Sequence, residues 1–380
     1  MFDLPPLRIG DNRGARDLYQ STGRVYRSCE QPYRTRPQVG DIRVHTVILG
    51  EPMTTVPPVE EVAPGVWSVP QPMPGPLEYA LVYAVQLDDG VLLIDTGWAA
   101  GESLEPLVEA LGKTGMRVED VRGVVMTHSH PDHVGRARKL REETGAWLAL
   151  HDPEPELASP GDIIAAVPEL SDWLADLGVP ADERDDFGRI AGRLASIRVD
   201  VGPDRRLIDG EVMELGGMTL EVMHTPGHAP DHACFVDRER GIVFTGDHIL
   251  SDTTPNVAIF PGTSGSPLAH YLRSLERTRR LGPLLALPGH EQRVRVDERA
   301  AALIEHHETH LAHAAGLIGA RALTARETAA EMPWRTPWGE LPILDRYLAL
   351  CETHAHLAVL VGRGTADVAA GSPNRWRLRA

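Results

Sequence analysis

The sequence predicts an α/β fold, and two observations support this prediction. An apolar strand at 121–126 ends in a polar turn, and a helix is expected to begin at His133. Residues 206–225 and 232–245 have the pattern of hairpins and begin a second half that resembles the first. Strands and helices that recur in two halves predict a layered α/β domain with one continuous core.

The other elements follow in chain order around this centre. Residues 1 to about 55 are rich in Arg, Pro, Gly and Tyr without periodicity, which predicts an extended or partly disordered N-terminal arm. The main domain is expected at 56–320, with early strands near 80–86 and 91–94 and a helix near 104–111.

A dense group of metal-binding side chains lies directly after the 121–126 strand. Residues 127–133 (THSHPDH) hold three imidazoles and one carboxylate, a density that core packing does not require. His128 and His130 are two residues apart in an extended segment and can face one ion, whereas Asp132 and His133 open a helix and can face a second. Because α/β folds hold ligands at strand ends, this segment predicts a metal site.

Three later segments each offer a further ligand-type side chain directly after a glycine. They end at His228, Asp247 and His290, in the sequences Pro-Gly-His, Thr-Gly-Asp and Pro-Gly-His. Each follows a strand-like run, and glycine permits the backbone conformations by which a short loop turns inward.

These motifs, in this order, resemble the metallo-β-lactamase fold family of hydrolases. Asp95, within Leu-Leu-Ile-Asp-Thr-Gly, matches the first motif of that family, and the resemblance covers roughly residues 60–300. It implies an αββα sandwich with the metals at one edge of the sheets. Segments 324–327 and 352–357 resemble the C-terminal helical, winged-helix-like tail of the lactamase-β-like group, which places this tail at 321–380.

The resemblance implies two metal positions that share one bridging ligand. The implied ligands are His128, His130 and His228 at the first position, Asp132, His133 and His290 at the second, and Asp247 at both. Imidazoles and carboxylates without a cysteine suit Zn²⁺, so two Zn²⁺ ions are expected, with Fe or Mn as alternatives. Asp95 is expected to orient a ligand imidazole by accepting its other N–H, and His248 either to do the same or to fill space near the site.

This metal pair predicts hydrolysis by a metal-bridging hydroxide, because two ions lower the pKa of a shared water and polarise the oxygen that it attacks. Asp132 is the expected catalytic residue, since in the family pattern it lies against both the metal and the nucleophile and can shuttle a proton. The expected substrate is a small-molecule thioester, ester or lactone. The alternatives are a metal-dependent endoribonuclease or phosphodiesterase, a mononuclear iron dioxygenase, and a non-catalytic metal-stabilised binding protein.

Composition disfavours several other classes of protein. The 380 residues carry a net charge of −16 and the segments before 51 and after 320 are net basic, so the main domain is strongly acidic and would repel nucleic acid. Three scattered cysteines argue against a disulfide framework. No apolar stretch follows the initial Met-Phe-Asp-Leu-Pro-Pro and no run approaches the length that spans a bilayer, so neither an export signal nor a membrane segment is expected. We therefore expect a cytoplasmic enzyme with a small-molecule substrate and no membrane partner, in which the tail packs on the domain or forms a homodimer.

The segment 158–198 is expected to insert two amphipathic helices with acidic polar faces into the main domain. These helices could cap the fold, or they could form a lid whose apolar face contacts an acyl or ring portion of the substrate. Because long insertions tend to lie at functional sites, we favour the lid. Trp98 and Trp173 are expected to line the same pocket.

The remaining histidines are assigned to packing or to the surface. His306, His307, His310 and His313 recur at helical spacing beside glutamates, which predicts a solvated helix face. His354 and His356 are two residues apart on a predicted helix and therefore point to different sides. Thr324 and Glu327 predict a capping box at the start of a helix that runs through Glu331.

Overall fold

The computed structural model describes residues 43–44, 56–74, 77–98, 103–153, 167–196, 201–263 and 265–379. The N-terminal arm predicted for residues 1–55 therefore lies outside the described residues, apart from β1 (Arg43–Val44), which pairs in parallel with β13 (Thr253–Thr254).

The first sheet has seven strands in the described part of the chain. In spatial order they are β2 (Glu60–Ala63), β3 (Val66–Pro72), β4 (Tyr79–Leu87), β5 (Gly90–Ile94), β6 (Val121–Met126), β7 (Trp147–His151) and β8 (Arg205–Leu207). Strands β2 to β5 are antiparallel, and β5 to β8 are parallel. Strand β8 corrects one expectation, because residues 206–207 of the predicted 206–225 hairpin pair with β7.

The second sheet has six described strands. In spatial order they are β15 (Val294–Arg295), β14 (Leu285–Pro288), β12 (Ile242–Gly246), β11 (Ala233–Asp237), β10 (Met218–His224) and β9 (Val212–Leu215). The hairpin formed by β11 and β12 confirms the one predicted at 232–245.

Helices cover the outer face of each sheet. Those of the main domain are α1 (Glu105–Gly112), α2 (Pro131–Val134), α3 (Ala137–Thr144), α6 (Pro267–Arg279) and α7 (Val296–Ala320), with a 3-10 turn at Val118–Asp120. The helix expected from His133 is thus divided, since α2 begins at Pro131 and α3 begins at Ala137.

The two sheets pack face to face through alternating apolar residues. On β4, Tyr83 and Val85 lie in the cluster between the sheets with Val222 and Phe244, whereas Val82 lies in the cluster beneath α1 and α3. A third cluster joins the outer face of the second sheet to α6 and α7. This arrangement confirms the predicted αββα sandwich.

The described part of the insertion consists of α4 (Val167–Asp176) and α5 (Ala181–Ser196). The apolar face that was expected to meet a substrate packs instead on the C-terminal helices: Leu174 and Phe187 are fully buried, and the Phe187 ring lies 5.7 Å from that of Tyr347. An ion pair of 2.9 Å between Glu183 and Arg326 adds to this contact. Residues 158–166 and 197–198 of the insertion lie outside the described residues.

The C-terminal segment contains α8 (Ala325–Glu331), a 3-10 turn at Trp338–Glu340, α9 (Ile343–Gly362) and an antiparallel hairpin of β16 (Ala366–Ala369) and β17 (Arg375–Leu378). The predicted capping box is present, with Thr324 and Glu327 each bonding the backbone of the other. The domain boundary at 320/321, the winged-helix-like character of the tail and a homodimer stay predictions. In the described chain, none of the helices is both long and apolar enough to traverse a bilayer.

Burial of the α7 histidines contradicts one expectation. His313 is exposed, but His307 is fully buried and His310 nearly so, because α9 lies against α7. The predicted solvated helix face is therefore wrong for these two residues.

Candidate metal centre

The predicted ligands follow five strands that end at one edge of the sandwich. Asp95 follows β5, residues 127–133 follow β6, His228 follows β10, Asp247 follows β12, and His290 follows β14. The loop after β12 needs glycine at position 246, where φ is +46° and a Cβ atom would lie 2.6 Å from Oγ1 of Thr127. Because residue 246 has no side chain, its backbone can lie close to the loop that carries Thr127, and Asp247 thereby reaches the other predicted ligands.

One group of imidazoles consists of His128, His130 and His228. Their ring centroids are 4.5 to 5.0 Å apart, and Nε2 of His228 lies 2.9 Å from Nδ1 of His130. One donor atom from each residue can be chosen so that all three lie within 4.8 Å of one another. This spacing is what three ligands of one metal ion require.

A second group consists of Asp132, His133 and His290. Oδ2 of Asp132 lies 3.3 Å from Nε2 of His290 and 3.8 Å from Nε2 of His133. These donors also lie within 4.8 Å of one another, so the group has the dimensions of a second ion site.

Asp247 lies between the two groups and presents one oxygen to each. Its Oδ2 is 3.6 Å from Nε2 of His228, while its Oδ1 is 3.3 Å from Nε2 of His133 and 3.6 Å from Nε2 of His290. A carboxylate in this position can bridge two metal ions.

Hydrogen bonds fix which nitrogen of three imidazoles faces the cluster. Nδ1 of His133 donates to Asp95 across 2.8 Å, Nδ1 of His228 to the Asn256 carbonyl across 2.9 Å, and Nδ1 of His290 to the Tyr79 carbonyl across 2.8 Å. Because Nδ1 is engaged in this bond, each ring turns its Nε2 toward the cluster, where that nitrogen can bind a cation once it carries no proton.

Asp95 also acts on a histidine of the first group. Its carboxylate accepts hydrogen bonds from the Thr127 backbone N–H at 2.7 Å and from the Thr127 hydroxyl at 2.9 Å. Because that hydroxyl proton is used, the Thr127 oxygen accepts from Nδ1 of His128 at 3.0 Å. One carboxylate therefore orients an imidazole of each group, His133 directly and His128 through Thr127.

Burial and the two carboxylates set the electrostatics of the cluster. Burial, together with the nearby His228, lowers the pKa of His130 to about 3. Burial also acts to lower the pKa of His133, but Asp247, Asp132 and Asp95 outweigh it and raise that pKa well above its ordinary value. Burial acts to raise the pKa of Asp132, yet His133 and His290 lower it overall, so this carboxyl group is ionised at neutral pH.

Two polar atoms inside the cluster indicate that a cation fits there. Nε2 of His128 is buried without a hydrogen-bond partner among the described residues, and Oδ1 of Asp247 is a buried acceptor that faces Nε2 of His133 at 3.3 Å and Nε2 of His290 at 3.6 Å. Buried acceptors of this kind are costly unless they bind a donor or a metal. A pair of divalent ions held by imidazoles and carboxylates would satisfy both atoms.

The cluster opens to solvent on the side of Asp132. The side chain of Asp132 is 17% exposed and that of His228 is 10% exposed, whereas those of His133 and His290 are each 1% exposed. A substrate would therefore meet Asp132 and His228 first.

The other predicted site residues are His248, Trp98 and Trp173. Nε2 of His248 lies 2.9 Å from the Thr278 hydroxyl on α6. Trp173 belongs to the apolar cluster that joins the insertion to α9, with its ring 6.0 Å from that of His354. Trp98 is partly buried at the end of the 77–98 segment. A substrate-binding role for the two tryptophans stays a prediction.

The sequence reasoning missed His232, which is fully buried beneath the first group. Its ring stacks on that of His128 at 5.0 Å, and its Nδ1 lies 2.8 Å from the Thr225 hydroxyl. The signal in the sequence was its position four residues after His228, on the same inward-turning loop.

Comparison with known proteins gives the same family from independent matches. Residues 75–290 match the family model described as the Metallo-beta-lactamase superfamily. The solved structure of a metallo-beta-lactamase family protein from Thermus thermophilus, TTHA1429, superposes with a TM-score of 0.69 at 30% identity, covering 84% of this chain and 100% of that one.

Two curated relatives have names that bear on activity. "Probable metallo-hydrolase YqjP" from Bacillus subtilis is 29% identical over 240 residues, which cover 58% of this chain and 69% of the relative. "Atrochrysone carboxyl ACP thioesterase" from Aspergillus fumigatus is 32% identical over 105 residues, which cover 27% of this chain and 31% of the relative. The chain spans about half the length of several other lactamase-like relatives that it matches.

Proposed function

Because the chain belongs to the metallo-beta-lactamase superfamily, we propose that it is a dinuclear metal hydrolase that cleaves a small-molecule thioester, ester or lactone. The observation that carries this proposal is the position of Asp247, with one oxygen toward His228 and the other toward His133 and His290. A single ion would not need a carboxylate shared by two groups of ligands.

We assign the proposed metal ligands to the two groups that are described above. His128, His130 and His228 would hold one ion, Asp132, His133 and His290 the other, and Asp247 both. Zn²⁺ suits this donor set, with Fe or Mn as alternatives. When bound, such a pair supplies a water of lowered pKa and polarises the substrate oxygen.

Asp132 is the residue that we assign to proton transfer. Its carboxylate lies at the open side of the cluster, 3.3 Å from His290, and is ionised at neutral pH. It can therefore accept the proton of the attacking water and deliver it to the leaving thiol or alcohol. His133 and His290 keep the carboxylate in place during this transfer.

Two observations support a carbonyl substrate. Two relatives that match this chain have names that include the words "carboxyl ACP thioesterase". The net charge of −16 disfavours polyanions, whereas a small ester or thioester tolerates an acidic surface.

One observation favours a second candidate, a metal-dependent endoribonuclease or phosphodiesterase. A groove of about 700 Å³ between α6 and α9 is lined by Arg273, Arg277, Arg280 and Arg363, and arginines are the usual phosphate-binding groups. However, Arg277, Arg280 and Arg363 pair with Asp209, Glu276 and Glu308, respectively, so most of this positive charge is already neutralised. The carbonyl hydrolase therefore remains the first proposal.

The test combines metal content with a substrate panel on the purified protein. The panel contains acyl-coenzyme A and acyl-glutathione thioesters, lactones, a phosphodiester and single-stranded RNA. We expect thioester, ester or lactone turnover that Asp132→Asn lowers by about 10²-fold or more. The matched control is Asp120→Asn, which removes a carboxylate that is partly exposed beside Arg117.

Each result of the panel leads to a different conclusion. Cleavage of RNA or the phosphodiester alone would replace the proposal with the second candidate. Oxygen uptake with one iron would contradict a hydrolase, and metal binding without any turnover would indicate a binding protein.

A further inference from the structure

A second buried cluster of ligand-type side chains lies between α7 and α9. It consists of His307 on α7 and of Glu352 and His356 on α9, and all three residues are at most 2% exposed. Glu352 and His356 are one helical turn apart and therefore share a face. One donor atom from each of the three residues can be chosen so that all lie within 4.8 Å of one another.

The hydrogen bonds of His356 prepare it to bind a cation. Its Nδ1 lies 2.9 Å from the Glu352 backbone carbonyl, which can only accept, so the proton is on Nδ1 and the lone pair is on Nε2. That Nε2 faces Nδ1 of His307 across 3.3 Å. Two imidazole nitrogens also face each other at the candidate metal centre, where His228 and His130 are 2.9 Å apart.

The cluster has polar atoms that the protein does not satisfy. Oε1 of Glu352 and Nε2 of His307 are buried and find no hydrogen-bond partner in the described part of the chain. Burial raises the pKa of Glu352 to about 8. A carboxyl group in such a position is costly whether it is ionised or neutral, unless a cation or a donor meets it.

We propose that His307, Glu352 and His356 bind a third metal ion, separate from the pair at the candidate metal centre. Two imidazoles and one carboxylate are a donor set for a divalent transition metal, and Zn²⁺ is the ion we expect. A further imidazole lies nearby: Nδ1 of His310 is also buried without a partner among the described residues, and its ring lies 5.7 Å from that of His356.

The proposed role of this ion is structural. It would join α7 of the sandwich to α9 of the C-terminal segment, which otherwise meet mainly through apolar contacts. Tyr271 separates it from the first centre: its ring packs on His307 at 5.5 Å, and its hydroxyl donates to the His248 carbonyl across 2.8 Å. The site is enclosed by protein, so bound metal would contribute to folding stability rather than to hydrolysis.

Metal analysis of purified variants tests this proposal. Glu352→Gln keeps the size of the side chain and removes its charge, and we expect it to contain about one equivalent less metal than the wild type. The matched control, His354→Gln, changes a neighbouring partly buried residue of α9 that is not among the three ligands and should leave the metal content unchanged.

A second experiment, in a variant of the candidate metal centre, distinguishes metal bound at the proposed third site from metal bound at that centre. In Asp247→Asn, which removes the proposed bridging ligand, we expect about one equivalent of Zn²⁺ to remain and to raise the melting temperature. Both the remaining metal and the rise should disappear in the double variant with Glu352→Gln. Anomalous scattering from crystals at the zinc edge should show a peak among His307, Glu352 and His356.

Two results would overturn the proposal. Equal metal content in the wild type and Glu352→Gln, with both folded by circular dichroism, would show that the cluster binds no ion. A Glu352→Gln protein that is more stable than the wild type at every zinc concentration would indicate a neutral hydrogen-bonded cluster instead. Neither result depends on whether the first centre is dinuclear, because the comparison isolates the second cluster.

Discussion

Nδ1 of His133 donates a hydrogen bond to Oδ2 of Asp95 across 2.8 Å. The same carboxylate holds the Thr127 hydroxyl, which in turn accepts from Nδ1 of His128. A single negative charge therefore sets the tautomer and the direction of one imidazole in each proposed ligand group. The loop that carries it has φ of +63° at Asp95, a conformation that Asp and Asn adopt more readily than most residues.

Replacement of Asp95 by asparagine should weaken metal binding without unfolding the protein. The side chain keeps its size and its backbone conformation, but it loses the charge that favours the Nδ1–H tautomer of His133. We expect the metal affinity to fall about 10- to 100-fold, measured by competition with a coloured chelator. Asp88→Asn, on an exposed turn, is the control. An unchanged affinity would show that Asp95 does not orient the ligands.

Replacement of Gly289 by alanine should disrupt the centre by steric contact alone. A Cβ atom at this position would lie 2.5 Å from Cε1 of His133 and 2.6 Å from Oδ1 of Asp247. Since both side chains must move, we expect loss of bound metal and of activity in a protein that still folds. Gly192→Ala, on α5 with open space around it, is the control and should stabilise the protein by about 0.5–1 kcal/mol. Full metal content in Gly289→Ala would contradict the described packing.

The order of the sequence motifs was sufficient to predict that the residues of the candidate metal centre lie close together. Each segment that carries a proposed ligand follows a strand, and strands that end at one edge bring these segments together. His232 was not predicted, because its spacing of four residues from His228 does not show that the loop folds beneath His128.

The helical parts were predictable as helices but not in their contacts. The apolar residues of the insertion recur at helical spacing and predicted two amphipathic helices. This spacing does not show what the apolar face contacts, and in the structure it contacts Tyr347 rather than a substrate. The cluster of His307, Glu352 and His356 joins residues some 45 positions apart, and it exists only because α7 and α9 pack against each other. The spacing of Glu352 and His356, one turn apart, was the local signal.

Metal binding to the metal-free protein should release protons near neutral pH. Burial acts to lower the pKa values of His133 and His290, but Asp247 and Asp132 outweigh it and raise both. These imidazoles therefore hold protons that a metal must displace, and the affinity should fall about tenfold per pH unit for each proton displaced as the pH is lowered. Titration calorimetry in buffers of different ionisation enthalpy measures the number of protons. A heat of binding that is independent of the buffer would contradict the raised pKa values.

Replacement of Phe187 by alanine should destabilise the whole protein, because the insertion is packed into its core. The Phe187 side chain is fully buried and meets the Tyr347 ring of α9 edge to face, so its removal leaves a cavity. We expect the free energy of unfolding, measured by urea denaturation, to fall by about 3–5 kcal/mol. Arg189→Ala, at an exposed position of the same helix, should change it by no more than about 0.5 kcal/mol. A small loss of stability with a large rise in KM would instead identify α4 and α5 as a lid that contacts the substrate.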